Sequence, residues 1–269
     1  PIGHSRSPRI HALFAEQTGH ALRYEAIRVE PGRFAAAVDA FRADGGRGLN
    51  VTVPFKQDAW RYAGLHSERA ARAGAVNTLV LDGDAVYGDN TDGPGLVRDL
   101  TVNQGYPLAG RRILLLGAGG AARGVLAPLL AEGPAELVVA NRTAAKATEL
   151  AAAFTDLGPV TGCSLAALAD RVQAGSRFDL LLNATAAGLE DRVPDLPDGL
   201  LAAGACGYDL MYGDRPTAFL RWAAAQGAAR TVDGLGMLVE QAAESFLIWR
   251  GIRPETGPVI AELQPAGAA

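Results

Sequence analysis

The chain has 269 residues, room for about two domains at roughly 150 residues each. Its 49% hydrophobic and 20% charged residues are an ordinary globular mixture, which excludes wholesale disorder. A net charge of -4 excludes the strong basic field that nucleic acid or an anionic membrane surface would require. Two cysteines, Cys163 and Cys206, cannot build a multi-bridge framework and suit a reducing compartment, so a cytoplasmic location is expected. The four histidines show no metal-ligand spacing with each other or with the cysteines, and no metal site is expected. The most apolar stretch, Ile113 to Leu130, is broken by Arg123, Pro128 and several glycines, so no membrane span is expected. No charged segment followed by an apolar one opens the sequence, so no secretion signal is expected.

In chain order, Pro8 to Gly19 has apolar residues at helical spacing, Arg23 to Val29 alternates like a strand, and Phe34 to Phe41 is helical again. Gly48 to Val53 reads as a strand stopped by Pro54, with a short helix from Phe55. Residues 75–81 and 85–88 read as a hairpin joined by Asp82-Gly83-Asp84, and a helix is expected from Gly93 to Val102. After Gly110 strands are expected at Ile113–Leu116, Leu137–Ala140, near Val160, Leu180–Asn183, Ala205–Asp209 and Arg230–Val232, mostly separated by helical patterns. Alternating strands and helices imply parallel pairing, and six such strands fit two mononucleotide-binding halves. Leu235 to Arg250 and Pro254 to Leu263 read as closing helices, expected to pack back on the first domain. The fold class is therefore α/β. Residues 1–100, completed by 233–269, form a substrate domain, and residues 101–232 a Rossmann-like, doubly wound parallel sheet.

Chemistry-bearing groups recur at the ends of these elements. In His4-Ser5-Arg6-Ser7-Pro8, Ser7 reads as an N-cap and Pro8 as the first helical residue. Ser5 has no capping duty on this reading. The two hydroxyls at a helix start also suit a carboxylate, so capping and binding both stand. In Asn50-Val51-Thr52-Val53-Pro54-Phe55-Lys56, Asn50 and Thr52 share a face of the strand, and Lys56 falls in the first helical turn. The helix dipole disfavours an ammonium there and eases its deprotonation, which suits an acid/base lysine; a solvated surface lysine is the plain alternative. Asp92, in Asp89-Asn90-Thr91-Asp92-Gly93, either caps the next helix or orients Lys56. Asn77 offers donor and acceptor to a polyol, and Tyr212 and Gln241 are further polar candidates with structural alternatives.

The sharpest signal is Ile113-Leu114-Leu115-Leu116-Gly117-Ala118-Gly119-Gly120-Ala121-Ala122, a buried strand feeding a Gly-x-Gly-x-x-Ala turn that opens a helix. Gly117 permits the turn, Gly119 lets the backbone approach a pyrophosphate, and Ala122 allows close helix–strand packing. An NAD-selective site places Asp or Glu after the next strand, roughly 20 residues past the glycines. Here Asn141-Arg142-Thr143 stands there, with Lys146 one helical turn on. A guanidinium pairs with a 2′-phosphate, so the reading is NADP, against solvated cations at a helix start. Asn183-Ala184-Thr185-Ala186-Ala187-Gly188 is a small polar loop that suits a nicotinamide ribose or a plain turn.

Taken together, the chain resembles the shikimate dehydrogenases. The resemblance is carried by the segments above and by Gly74-Ala75-Val76-Asn77-Thr78, Tyr208-Asp209-Leu210-Met211-Tyr212 and Asp233-Gly234-Leu235-Gly236-Met237, running on to Gln241. It implies an oxidoreductase that reversibly reduces 3-dehydroshikimate to shikimate with NADPH, a step of aromatic amino-acid biosynthesis. It further implies Lys56 as the acid/base residue paired with Asp92, and Ser5, Ser7, Thr52, Asn77, Tyr212 and Gln241 on the substrate. Gly117, Ala118, Gly119, Gly120, Ala121, Asn141, Arg142, Thr143, Lys146, Leu210 and Gly234 would contact the cofactor. The implied partner is the small-molecule substrate, with no nucleic acid and no membrane, and the chain a monomer or homodimer. Departures from the family are Ala186-Ala187, where hydroxyl residues are common, Lys146, where arginine is frequent, and the lack here of the β-strand that family members carry before the Pro1–Pro8 segment. Two other readings are a quinate/shikimate dehydrogenase of relaxed substrate or cofactor use, and a non-catalytic ligand sensor, which would be expected to have lost Lys56 or Asp92.

Overall fold

Helix α1 (Ser7–Thr18) turns Ile10, Phe14 and Ala15 inward, the spacing that the 3.6-residue repeat dictates. The computed structural model describes residues 5–185 and 192–264. These divide into two compact units, residues 1–99 with 236–269, and residues 100–235.

In the first unit α2 (Phe34–Ala43) leads to β1 (Gly48–Asn50), α3 (Lys56–Tyr62), β2 (Leu65–His66), α4 (Glu68–Ala73), β3 (Thr78–Val80), β4 (Tyr87–Asp89) and α5 (Asp92–Arg98). The strands form one sheet in the order β1-β3-β4-β2. β3 pairs antiparallel with both β1 and β4, setting Asn50 opposite Thr78 and Thr78 opposite Asp89. Phe34, Val38, Ala59, Val76 and Leu79 close the core beneath it.

The second unit alternates β5 (Arg112–Leu116), α6 (Gly120–Ala131), β6 (Glu136–Asn141), α7 (Ala144–Ala152), β7 (Val160–Ser164), α8 (Ala167–Gln173), β8 (Phe178–Asn183), β9 (Leu201–Asp209), α9 (Ala218–Ala225) and β10 (Arg230–Val232). The sheet is parallel throughout, in the order β10-β9-β8-β5-β6-β7. This is a doubly wound sheet whose order reverses between β5 and β8, where such folds open a crevice at the carboxyl ends. Ile113 to Leu116 and Leu137 to Ala140 are wholly buried, as strands covered on both faces must be. The final helices are α10 (Leu235–Arg250) and α11 (Gly257–Leu263). α10 lies on the first unit's sheet, where Trp249 Nε1 donates to the Leu79 carbonyl at 3.0 Å.

Several local expectations are corrected. Residues 23–29 alternate but form no strand, because no neighbour among the described residues offers a ladder; alternation sets which way side chains face, not whether a partner exists. The strand expected over residues 48–53 ends at Asn50, so Thr52 lies beyond the ladder, exposed, and does not share a strand face with Asn50. The helix expected to Val102 is α only to Arg98, then widens into a π-helical turn, Asp99–Asn103. Arg6, not Ser7, is the N-cap of α1, and Ser5 Oγ accepts from the Ser7 N–H at 3.3 Å, so Ser5 does have a local structural duty.

His11 sits one turn into α1 with no exposed surface. Its ring stacks on Tyr24 at 4.2 Å, with Trp249 and Phe14 nearby. Neither ring nitrogen has a hydrogen-bond partner. Burial lowers its pKa to about 3, the desolvation outweighing the opposing influence of the nearby Asn50 side chain. The unfolded chain therefore takes up a proton near pH 6.5 that the native state refuses until about pH 3, so stability is full above 6.5 and falls as pH drops through that window. Urea unfolding should show wild-type stability falling faster below pH 6 than that of His11→Phe, by up to about 1.4 kcal/mol per pH unit. Parallel pH profiles would contradict a buried neutral imidazole.

Candidate active site

Lys56 opens α3, and its Nζ reaches Asp92 Oδ2 at 2.6 Å. The side chains keep only 12% and 7% of their exposure, so this ion pair is largely withdrawn from water. Asp92 is the first residue of α5, behind the N-cap Thr91, where unpaired N–H groups favour a carboxylate. Its backbone N–H donates to Asn90 Oδ1 at 3.1 Å, and Asn90 Nδ2 holds the Ala75 carbonyl at 3.0 Å. An ammonium carries three N–H donors. Asp92 takes one, and no other acceptor meets Nζ among the described residues.

Asn77 completes the pair's surroundings. The Thr91 backbone N–H can only donate, and it donates to Asn77 Oδ1 at 2.8 Å. The amide nitrogen therefore faces Asp92, donating to Oδ1 at 3.0 Å. The same nitrogen lies 2.8 Å from Thr91 Oγ1 and 3.2 Å from Gln241 Oε1. Gln241 is fixed in turn by its Nε2, which donates to the Leu238 carbonyl. The structure thus brings Lys56, Asp92, Asn77 and Gln241 into one buried cluster within the first unit.

Other candidates stand further off. Thr52 is exposed, and its carbonyl accepts the Phe55 N–H. Ser7 is the first residue of α1. Burial pushes up the phenol of Tyr24. Tyr24 donates to Asn50 Oδ1 at 2.9 Å, and Asn50 Nδ2 lies 3.2 Å from Thr78 Oγ1. Ser5 touches this chain only through Ser7 among the contacts described. Sequence reasoning missed Tyr24, Thr78, Thr91 and Ser245. Ser245 lies four residues after Gln241 and so on the same helical face, but that spacing alone does not mark it as part of a site. Behind the cluster, Arg69 grips Asp89 through Nε and Nη2 at 2.7 and 3.0 Å and also reaches Glu244. Arg253 bridges Glu244 and the fully buried Glu240. These ion pairs tie α10 to α4 and to the Asp89–Asp92 loop.

In the second unit the glycine turn joins β5 to α6. Gly117 has φ 105°, and a Cβ there would lie 3.0 Å from the Ala184 carbonyl oxygen, so the turn needs glycine for internal reasons. Gly119 differs: its φ is -89°, and an added Cβ would meet no atom within 4 Å. Among the described residues its smallness serves no packing, and it leaves open space beside the first N–H groups of α6, which receive no side-chain cap. Ala118, Gly120 and Ala121 line the same turn, and Ala122 is wholly buried against the sheet.

β6 is the neighbour of β5, so Asn141, Arg142 and Thr143 follow at the adjacent carboxyl end. Asn141 Nδ2 donates to the Thr143 carbonyl. Arg142 and Lys146 are exposed, pair with no described carboxylate, and flank the start of α7, whose first turn holds no acidic residue. Two cations without a described carboxylate partner, beside the uncapped start of α7, are a donor set that could hold an adenosine 2′-phosphate. On the other side of the switch point, a Cβ on Gly234 would lie 2.2 Å from the Leu210 carbonyl oxygen, and the Gly234 N–H donates to Met211. Leu210 and Gly234 are therefore in contact, with Tyr212 two residues on. The turn is braced by Asp209, which accepts from Thr217, the Met211 N–H and Asn183. Burial pushes its carboxyl above the usual range against those bonds. Of the loop after β8, Asn183 accepts from the Thr185 hydroxyl, while Ala186, Ala187 and Gly188 lie outside the described residues.

Three family models match the chain. The shikimate dehydrogenase substrate binding domain matches residues 1–79, shikimate / quinate 5-dehydrogenase residues 100–190, and the shikimate 5′-dehydrogenase C-terminal domain residues 234–264. A shikimate dehydrogenase (NADP(+)) of Thioalkalivibrio sulfidiphilus is 61% identical over 266 residues, covering 98% of this chain and 96% of that protein. The crystal structure of an Ael1 enzyme from Pseudomonas putida superposes with a TM-score of 0.88 at 46% identity, covering 99% of this chain and 96% of that one. Shikimate 5-dehydrogenase from Thermus thermophilus, solved in complex with NADP(H) and shikimate, superposes at 0.83 with 35% identity, covering 97% and 94%.

The two glycines should separate experimentally. Gly117→Ala should lower the urea midpoint by about 1–2 kcal/mol of stability, since it forces a side chain into left-handed backbone. Gly119→Ala should leave stability within about 0.5 kcal/mol of wild type. It should nonetheless weaken binding of a reduced nicotinamide dinucleotide, read by its fluorescence, at least about tenfold. Unchanged binding in Gly119→Ala would remove the diphosphate from that turn.

Proposed function

The chain belongs to the shikimate dehydrogenase family, and from that premise we propose that it interconverts 3-dehydroshikimate and shikimate with NADP, with Lys56 and Asp92 as its acid–base pair. The observation that carries this reading is the buried 2.6 Å contact between Lys56 Nζ and Asp92 Oδ2.

Reducing a ketone to an alcohol adds a hydride to carbon and a proton to oxygen. NADPH, when bound, supplies the hydride. As negative charge grows on the carbonyl oxygen, an ammonium at hydrogen-bond distance stabilises it and then delivers its proton. Lys56 Nζ is that donor, with N–H groups to spare beyond the one Asp92 accepts. In the oxidative direction a neutral Lys56 takes the hydroxyl proton. Asp92 holds Nζ in place through both half-reactions, and Asn77, donating to the other carboxylate oxygen, holds Asp92.

Ser5 and Ser7, at the start of α1, suit the substrate carboxylate. Thr52, Asn77, Tyr212 and Gln241 would take its hydroxyls. On the cofactor side, Gly117 to Ala121 would hold the diphosphate, and Asn141, Arg142, Thr143 and Lys146 the adenosine end with its 2′-phosphate. Leu210 and Gly234 would line the nicotinamide end. Among the described residues no helix is long and apolar enough to cross a membrane. Both cysteines are free thiols, which supports the reading of a cytoplasmic enzyme.

The test is a rate comparison of shikimate and quinate with NADP and NAD in all four pairings, followed by absorbance of the reduced nicotinamide. Shikimate with NADP should lead, with NADP ahead of NAD in kcat/KM by at least about tenfold, the scale of one charge-assisted hydrogen bond. Arg142→Ala should raise KM for NADP and leave turnover with NAD unchanged. Equal rates with both cofactors, or equal losses on substitution, would overturn the 2′-phosphate assignment.

A further inference from the structure

α10 sets Ser245 one turn beyond Gln241, and Ser245 is completely buried. A serine inside a helix and away from water is a poorer choice than alanine on helix propensity, so its hydroxyl must serve some partner. Four partners surround it. Ser245 Oγ accepts from Asn50 Nδ2 at 2.9 Å and lies 3.2 Å from Thr91 Oγ1, 3.1 Å from the Gln241 carbonyl oxygen and 2.8 Å from Thr78 Oγ1; because Thr78 gives its own proton to Asn77, the single Ser245 proton serves Thr78.

Those two threonines are what hold Asn77. Thr78 Oγ1 donates to Asn77 Oδ1 at 2.9 Å, and Thr91 Oγ1 accepts from Asn77 Nδ2 at 2.8 Å. An amide can sit either way round in a cavity of its shape. Only one orientation places N–H on Asp92; the other would set its carbonyl oxygen 3.0 Å from a carboxylate oxygen, two acceptors facing each other without a proton. The Thr91 backbone N–H sets the first orientation, and the hydroxyl cluster around Ser245 reinforces it with a donor, Thr78, at Oδ1 and an acceptor, Thr91 Oγ1, at Nδ2.

We propose that Ser245 is a positioning residue for the acid–base pair: its hydroxyl holds the Thr78 and Thr91 side chains that keep the Asn77 amide turned with its N–H on Asp92. Ser245 touches no reacting atom. Its influence runs through Asn77, and this inference rests on the reading that Asp92 serves the proton transfer.

A double-mutant cycle tests it. Ser245→Ala should lower kcat for shikimate oxidation by about tenfold, with KM for NADP unchanged, because the loss is in alignment and not in cofactor binding. In an Asn77→Ala background the same substitution should have almost no further effect on kcat. A purely structural serine would cost the same in both backgrounds, and that result, or an unchanged kcat in the single variant, overturns the proposal. If Ser245→Ala does not fold, Thr91→Val removes the next hydroxyl in the cluster at nearly constant shape and enters the same cycle with the same expectations. Asp92→Asn separates the two levels. If it retains wild-type kcat, the acid–base reading itself fails. If it is impaired while Ser245→Ala is not, only the positioning role falls.

Discussion

A positive and a negative charge at 2.6 Å, nearly shut off from water, dictate much of the first unit's design. Burying ions costs several kcal/mol each, and their attraction offsets this only when the remaining lone pairs and protons find partners. Every neighbour of Asp92 answers that demand. The carboxylate sits at the start of α5, takes one hydrogen bond from Lys56 and one from Asn77, and has its own backbone N–H fixed by Asn90. Lys56 is left with donors to offer a ligand, which is what a proton-delivering ammonium needs. The arrangement spends stability to hold charge where a reaction can use it.

The two units solve different problems with different materials. The second unit relies on backbone: parallel strands, a turn whose first glycine is required by the fold, and a second glycine beside open space among the described residues. The substrate unit relies on side chains, with short strands, a buried amide–hydroxyl cluster and ion pairs that reach α10 from α4, α5 and the closing segment. Helix α10 is the hub of that second scheme. Gln241 and Ser245 face the amide cluster, while Glu240 and Glu244, each one residue earlier, face the arginines.

The central strands of the second unit, β5, β6 and β8, were legible because each carries an apolar run, which a sheet covered on both faces requires, while β7 and β10 are more polar and partly exposed. The doubly wound order follows from strand–helix alternation and right-handed crossovers, so it too could be read ahead. The first unit was less legible. Residues 23–29 alternate without a partner strand among the described residues, and β1 is only three residues long. At the site, Lys56 and Asp92 stood out because each charge falls in the first turn of a short helix. Thr78 and Ser245 carry no such signal. Their role comes from cross-strand and helix–sheet contacts that only the assembled fold creates, and Ser245 reads locally as an ordinary helical residue. Ser5 shows the reverse case: a residue read as free of local duty proves to accept its neighbour's N–H.

The account stands on Lys56 and Asp92 working as one unit. The direct measurement is kcat for shikimate oxidation in Lys56→Ala, in Asp92→Asn and in the double variant. Lys56→Ala should lose at least about 10²-fold, the usual scale of general acid–base help. Adding Asp92→Asn should cost little more, since residues acting as a unit are not additive. A wild-type kcat in Lys56→Ala, or two losses that simply multiply, would contradict the account.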